Sequence, residues 1–217
     1  MTQISDEFSA DEKRGVYRAI YERRDVRSKF LAEPVPEEVL ARILDAAHHA
    51  PSVGFMQPWD FIVIRDPGVR EQVRENFERC NRDAAAVYEG EKRNLYDSLK
   101  LAAITESALN LCVTCDHRRA RGAGLGRQTN PFTDVYSTVC AVQNLWLAAR
   151  AESVGVGWVS ILDFDVLKET LRIPAEVTPV AYLCVGYVSE FGVQPELEKR
   201  GWEERAAVAD LIHHEGW

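Results

Sequence analysis

Seven consecutive residues, Leu109-Asn110-Leu111-Cys112-Val113-Thr114-Cys115, make an almost wholly apolar run. A strand of that composition has no face to give to water and has to be covered on both sides. The chain is therefore confined to a layered fold, a sheet with helices packed against it. The pieces for such layers are present. The spacing predicts a helix over residues 11–22, ending in the basic run at Arg23. Pro36 opens a second helix, whose apolar positions Val39, Leu40, Ile43, Leu44, Ala46 and Ala47 recur at helical spacing, and Pro51 closes it. Trp59 to Ile64 reads as a strand, and so do Val156 to Ile161 and Val180 to Val188, with a short helix from Val166 to Leu171 between the last two. Val135 to Arg150 is an apolar central helix, and the tail from Trp202 to Ile212 is expected to be helical. A charged helix over Gly68 to Tyr88 leads into a polar stretch through Lys100. Residues 84–101 bring too few apolar side chains to belong to a core, which makes them a candidate lid. No repeat or linker divides the chain. The expectation is one α+β domain over residues 1–217, with a mobile leader at 1–12.

Charge and cysteine content narrow the function. The 217 residues carry 26 Lys and Arg against 34 Asp and Glu, a net charge of −8, with a pI near 5.2. That balance argues against a nucleic-acid partner, although a local basic cluster can still bind a small anion. No apolar run reaches the roughly 18 residues that span a bilayer. Met1 to Glu12 is polar and acidic, unlike a secretory signal, so a cytoplasmic location is expected. Five cysteines, an odd and sparse set, do not describe a disulfide scaffold. Cys112 and Cys115 form a C-x-x-C, which could serve redox chemistry or half a zinc site. They lie inside the apolar strand, however, where buried free thiols are the plainer reading. The adjacent pairs His48-His49 and His213-His214 point apart on a helix. No metal is implied.

Three segments could carry chemistry. In Arg23-Arg24-Asp25-Val26-Arg27-Ser28 a helical turn would put Arg23 and Arg27 on one face as a fork for a phosphate; the alternative is a solvated basic patch. Pro51-Ser52-Val53-Gly54-Phe55-Met56 offers backbone donors close to a planar ring, with Met56 packing on its face, or is simply a connecting loop. Gly155-Val156-Gly157-Trp158-Val159-Ser160 places two glycines before a strand, which permits close approach of a ligand. Ser160 could donate to it, or else be an inward serine satisfied by the backbone. Gly122-Ala123-Gly124-Leu125-Gly126 lacks the order of a dinucleotide fingerprint and reads as a flexible loop.

In this order the three segments resemble the nitroreductase-like flavoprotein family. The similarity runs from about Val16 to Arg205. Asp25 departs from the serine usual in ordinary nitroreductases. The stretches His48 to Trp59, Leu109 to Asp116, Thr129 to Ser137 and Gly157 to Ile161 are similar to the 5,6-dimethylbenzimidazole synthases of that family. The resemblance implies a nitroreductase-like fold with a central mixed or antiparallel sheet, a homodimer, and flavin at the subunit interface. It implies reduced FMN consumed as substrate with molecular oxygen, giving 5,6-dimethylbenzimidazole, the lower ligand of vitamin B12, and erythrose 4-phosphate. A separate flavin reductase would supply the reduced FMN.

Carried over by position, the phosphate site would use Arg23, Arg24 and Arg27, with Arg200 joining from the carboxyl end. The flavin contacts would come from Asp25, Val26, Pro51, Ser52, Val53, Gly54, Met56, Leu101, Gly157, Trp158 and Ser160. Asp25 and Ser160 are the implied catalytic pair. A carboxylate at position 25 can accept a proton, which a serine cannot do at neutral pH. An NAD(P)H-dependent FMN nitroreductase and a flavin-storage protein remain the alternatives; Asp25 and the long cap count against the first, Asp25 and Ser160 against the second.

Overall fold

The computed structural model describes residues 7–217. Strands β1 (Trp59–Ile64), β2 (Leu109–Asp116), β3 (Val154–Val159) and β4 (Val177–Tyr187) form one sheet in the order β1-β2-β4-β3, every pair antiparallel. The apolar run is thus an interior strand, and its alternating residues feed two cores. Leu111 and Val113 face helices α2 (Glu37–His48) and α5 (Thr133–Ala151), meeting Ile43, Ala47, Val142 and Leu145. Cys112 faces the other way, with Tyr182, Cys184, Val73 of α3 (Pro67–Ala85) and Leu167 of α6 (Phe164–Leu171). Asn110, the amide in this run, is fully buried but satisfied: it donates to Ser107 Oγ (2.8 Å) and accepts from the Tyr182 hydroxyl (2.9 Å).

Local chemistry sets the ends of these elements. Ser9 and Glu12 form a reciprocal capping box on α1 (Ala10–Glu22). Asp66 caps α3, with Pro67 at its first position, and Asp163 caps α6. The leader expectation for residues 1–6 lies outside the described residues. Its remainder is corrected, because the capping box commits Ala10 to Glu12 to the first turn of α1.

Three further expectations change. The polar stretch after α3 contains a second helix, α4 (Gly90–Ser98), whose Tyr96 is buried with its hydroxyl on Asn81 Oδ1 (2.7 Å). The tail is not a helix over Trp202 to Ile212. Glu196–Lys199 forms a single turn, α7, and the tail beyond it holds only a 3-10 turn at Val208–Leu211. Its side chains are exposed from Glu203 onward, so no packed face sustains a helix there. Gly122 to Gly126 follows a 3-10 turn, Arg121–Gly124, whose backbone lies directly against Gly54.

Candidate active site

The arginine segment is extended, not helical. Arg23 is the C-cap of α1, and Asp25 then forms a parallel bridge with Val156 of β3, Val26 N–H donating to Val156 O (2.9 Å). The expected fork on a helical turn is therefore corrected. Arg23, Asp25 and Arg27 still share a side, because alternation in extended chain also brings i and i+4 together. Val26, between them, is buried. From behind, α5 holds the segment: Trp146 Nε1–H donates to Arg24 O (3.2 Å), and the Arg23 guanidinium lies 4.7 Å from the Trp146 ring centroid.

Gly157 explains how the segment fits. A Cβ there would come within 2.0 Å of Val26 O. The expected close approach at this glycine is real, but the visitor is the chain's own arginine segment. Gly155 and Gly157 also lie inside β3 instead of preceding it. Next to them, Trp158 N–H donates to Asp25 Oδ1 (2.9 Å), and Arg27 binds Asp25 Oδ2 (2.5 Å). The carboxylate is held by one backbone donor and one guanidinium, and it stays part-exposed at 30%.

Two adjoining cavities flank this segment, one of about 460 Å³ and one of about 800 Å³, sharing Arg24, Asp25, Arg27 and Glu196. Eight cationic side chains line them against four carboxylates, a local reversal of the chain's net −8. Arg200, Lys199, Lys29 and Lys100 line the first; Arg23, Arg205 and Gln143 line the second. Arg23 has no carboxylate partner within ion-pair distance among the described residues. Burial pushes its guanidinium below the ordinary value, and the Arg24 and Arg205 charges push the same way against Asp25. Arg24 spends its terminal nitrogens on the carbonyls of Tyr21, Arg23 and Val193, bracing the loop over the cleft. The Nε atoms of Arg24 and Arg27 are buried with no hydrogen-bond partner among the described residues. A cleft with surplus, partly unsatisfied guanidinium donors is built for an anion.

The other expected residues are dispersed. Ser160 lies just past the end of β3 and is exposed, so it is neither in the strand nor inward; its carbonyl accepts from Leu162 N–H (3.0 Å). Met56 is 1% exposed, which corrects its expected role on the face of a ring, while the neighbouring Phe55 is 69% exposed. Ser52 Oγ accepts from Gln57 N–H (3.1 Å), and Val53 N–H is taken by Ser137 Oγ (3.0 Å). Pro51 is exposed and Gly54 half-buried, and Leu101 is half-buried without lining either cavity. Sequence reasoning missed Arg205, Lys199, Lys29 and Lys100. Only the basic character around Arg200 hinted at the first two; Lys29 and Lys100 arrive from separate parts of the fold.

A second polar cluster lies at the far end of β2. Cys115, His117 and Asp134 offer ligand atoms within 4.8 Å of one another. Asp134 is fully buried and already receives Arg127 (2.9 Å) and His117 Nδ1 (2.8 Å), while His117 Nε2 meets Thr178 Oγ1 (2.8 Å). Burial pushes the Cys115 thiol up to about 11. With its carboxylate compensated by an arginine and its sulfur protonated, this trio is a hydrogen-bonded brace for the turn before α5.

A family model described as the nitroreductase family matches residues 20–187. The 5,6-dimethylbenzimidazole synthase of Rhodospirillum rubrum is 46% identical over 183 residues, covering 84% of this chain and 86% of its own. That of Rhodobacter capsulatus is 40% identical over 182 residues, covering 84% and 87%. Among solved structures, iodotyrosine deiodinase bound to FMN and 3-iodo-L-tyrosine superposes with a TM-score of 0.73 at 23% identity, covering 93% of this chain and 99% of that one, a likeness of fold. The chain belongs to the nitroreductase family, alongside its 5,6-dimethylbenzimidazole synthases.

Proposed function

We propose that this chain is a 5,6-dimethylbenzimidazole synthase, fragmenting reduced FMN with molecular oxygen to 5,6-dimethylbenzimidazole and erythrose 4-phosphate. The observation that carries the proposal is Asp25: a carboxylate fixed by Trp158 N–H and Arg27 inside a cationic cleft. A cleft that only bound an anion would gain nothing from a negative charge there. The donor set fits a flavin phosphate: among the described residues Arg23 has no carboxylate within ion-pair distance and the buried Nε atoms of Arg24 and Arg27 have no acceptor. From Asp25, beside Val156, to Ser160 the strand direction covers roughly 13 Å. A phosphate among the arginines with the ring towards Ser160 spans that interval through the sugar-alcohol chain.

When bound, reduced FMN supplies both the electrons for oxygen chemistry and the atoms of both products. Arg23, Arg27 and Arg200 bind the phosphate. Asp25, aimed by its two fixed hydrogen bonds, would accept a proton from a hydroxyl of the sugar-alcohol chain. The exposed hydroxyl of Ser160 is free to turn towards the ring. Residues 84–101, with α4, cap the cleft and exclude water and a nicotinamide donor.

The working unit is a homodimer. Exposed Tyr17, Ile20 and Tyr21 on α1, Tyr136 and Val139 on α5, and Phe55 and Leu125 on the loops give it an apolar face. No described helix is long and apolar enough to cross a membrane; the proposed setting is the cytoplasm, with a separate flavin reductase as supplier. The test is incubation with reduced FMN and air. Dimethylbenzimidazole as product is the expected outcome. NAD(P)H consumption with a nitroaromatic and no fragmentation would mean a conventional nitroreductase, and intact bound FMN would mean storage.

A further inference from the structure

Arg200 and Arg205 reach the cleft from a tail that is exposed almost throughout, so something has to hold them there. Helix α7 ends in a complete Schellman motif: Gly201 N–H bonds Glu198 O (3.0 Å) and Trp202 N–H bonds Leu197 O (2.9 Å), with Gly201 at φ +71°. Arg200 is the C-cap of that turn, and Trp202 is the position from which such motifs make their apolar contact. Here the contact is not with α7 alone. The Trp202 ring meets Tyr88 edge-on at 5.3 Å and Tyr96 at 6.1 Å, and those two tyrosines stack at 4.9 Å. Lys92 completes the seat, its Nζ 3.8 Å from the ring centroid and bonded to Trp202 O (3.0 Å). Tyr88, Lys92 and Tyr96 all belong to the excursion that carries α4.

We infer that Trp202 is a positioning residue for phosphate recognition: seated on Tyr88, Tyr96 and Lys92 of the α4 excursion, it holds Arg200 and Arg205 at the cleft. The inference rests on the proposed phosphate site. It goes beyond that proposal by tying the cations of the tail to the cap, so that the two are ordered together. Arg200 has little else to fix it, since its side-chain partner among the described residues is Glu196, an exposed ion pair on its own short turn. Losing the aromatic seat frees both guanidiniums to explore solvent, and the bound anion then has to order them again.

The experiment compares binding of oxidised FMN and of riboflavin, which has the same ring and no phosphate, by flavin fluorescence. Wild-type chain binds FMN more tightly than riboflavin. Trp202→Ala weakens FMN binding roughly tenfold and leaves riboflavin unchanged, because only phosphate contacts are disordered. Trp202→Phe restores most of the loss. Lys92→Gln, a surface change that leaves the core intact, weakens FMN alone by about threefold. Equal losses for both flavins, or an unchanged ratio in Trp202→Ala with wild-type discrimination intact, overturn the inference and leave the phosphate site standing. A wild-type chain that does not discriminate overturns the phosphate site and this inference with it.

Discussion

Asp25 is the residue at which binding and chemistry separate. Its Oδ1 is engaged by a backbone N–H and its Oδ2 by Arg27, so Asp25→Asn preserves size and one hydrogen bond while removing the titrating oxygen. The expected outcome is a fall in dimethylbenzimidazole formation of roughly 10²–10⁴-fold with reduced-FMN affinity little changed. If Asp25 only oriented Arg27, affinity would collapse in parallel with turnover, and a flavin titration beside a product assay tells the two apart. Arg23 complements this test. Its cation has no carboxylate partner among the described residues and is partly desolvated on Trp146. Arg23→Ala removes phosphate affinity without disturbing the Asp25–Arg27 pair, and is expected to cost FMN binding about 2 kcal/mol, roughly thirtyfold, with kcat at saturating flavin retained. A normal FMN affinity would return Arg23 to the role of a surface cation stacked on a tryptophan.

At the scale of elements, much was legible because local patterns carry it. The apolar stretch Trp59 to Ile64 is a strand with the expected bounds, the run from Leu109 is one that extends a residue further, to Asp116, and Pro36 and Pro51 bracket α2 as expected. The arginine segment was misjudged for a physical reason. Its conformation is set by an edge bridge to a strand 131 residues further on, which no local spacing encodes. The same holds for Met56, whose burial depends on how its loop folds, and for α4, whose Tyr96 packs near Trp202 of a distant tail. Gly157 is where that long-range fit can be tested. Gly157→Ala drives a Cβ to within 2.0 Å of the backbone oxygen of Val26, which cannot swing away as a side chain could, so the bridge between the arginine segment and β3 must open. A loss of about 1–3 kcal/mol in denaturant unfolding is expected, with FMN affinity lost in the same variant. Retained FMN affinity would show that the segment does not need its seat on β3. The interior strands make a separate prediction. Burial pushes Cys112 and Cys184 up from 9.0 to about 12 and Cys115 to about 11, and it raises the Tyr182 phenol as well. A raised pKa means the protonated form is favoured in the fold. The stability these thiols contribute is present below their unfolded value near 9 and is lost as pH climbs towards 11 to 12. Each thiol then costs about 1.4 kcal/mol per pH unit. Unfolding midpoints measured from pH 7 to 11 are expected to drop steeply above pH 9, and a flat profile would contradict the burial of these groups.

For the whole molecule, the exposed apolar face is the feature a lone subunit does not account for. Tyr136 at 56% and Tyr21 at 69% exposure lie on α5 and α1, which pack side by side. Phe55 and Leu125 continue the face across the contact between their loops. Ile20 and Tyr21 also line the larger cavity, so covering this face narrows the mouth of the cleft and desolvates Arg23 further. In the proposed homodimer a C2 axis would cover the same patch on both copies and would bring each cleft to the edge of its neighbour. Assembly and catalysis would then be coupled through one surface. Tyr136→Glu, which places a charge in the middle of that face without touching either cavity, is expected to weaken association by at least about 2 kcal/mol, roughly thirtyfold. Light scattering across a dilution series would follow it from dimer to monomer. Product formation should fall with the dimer fraction and return at high protein concentration. Full turnover by a monomer at every dilution would show that each subunit holds a complete site, and the apolar face would then serve some other partner.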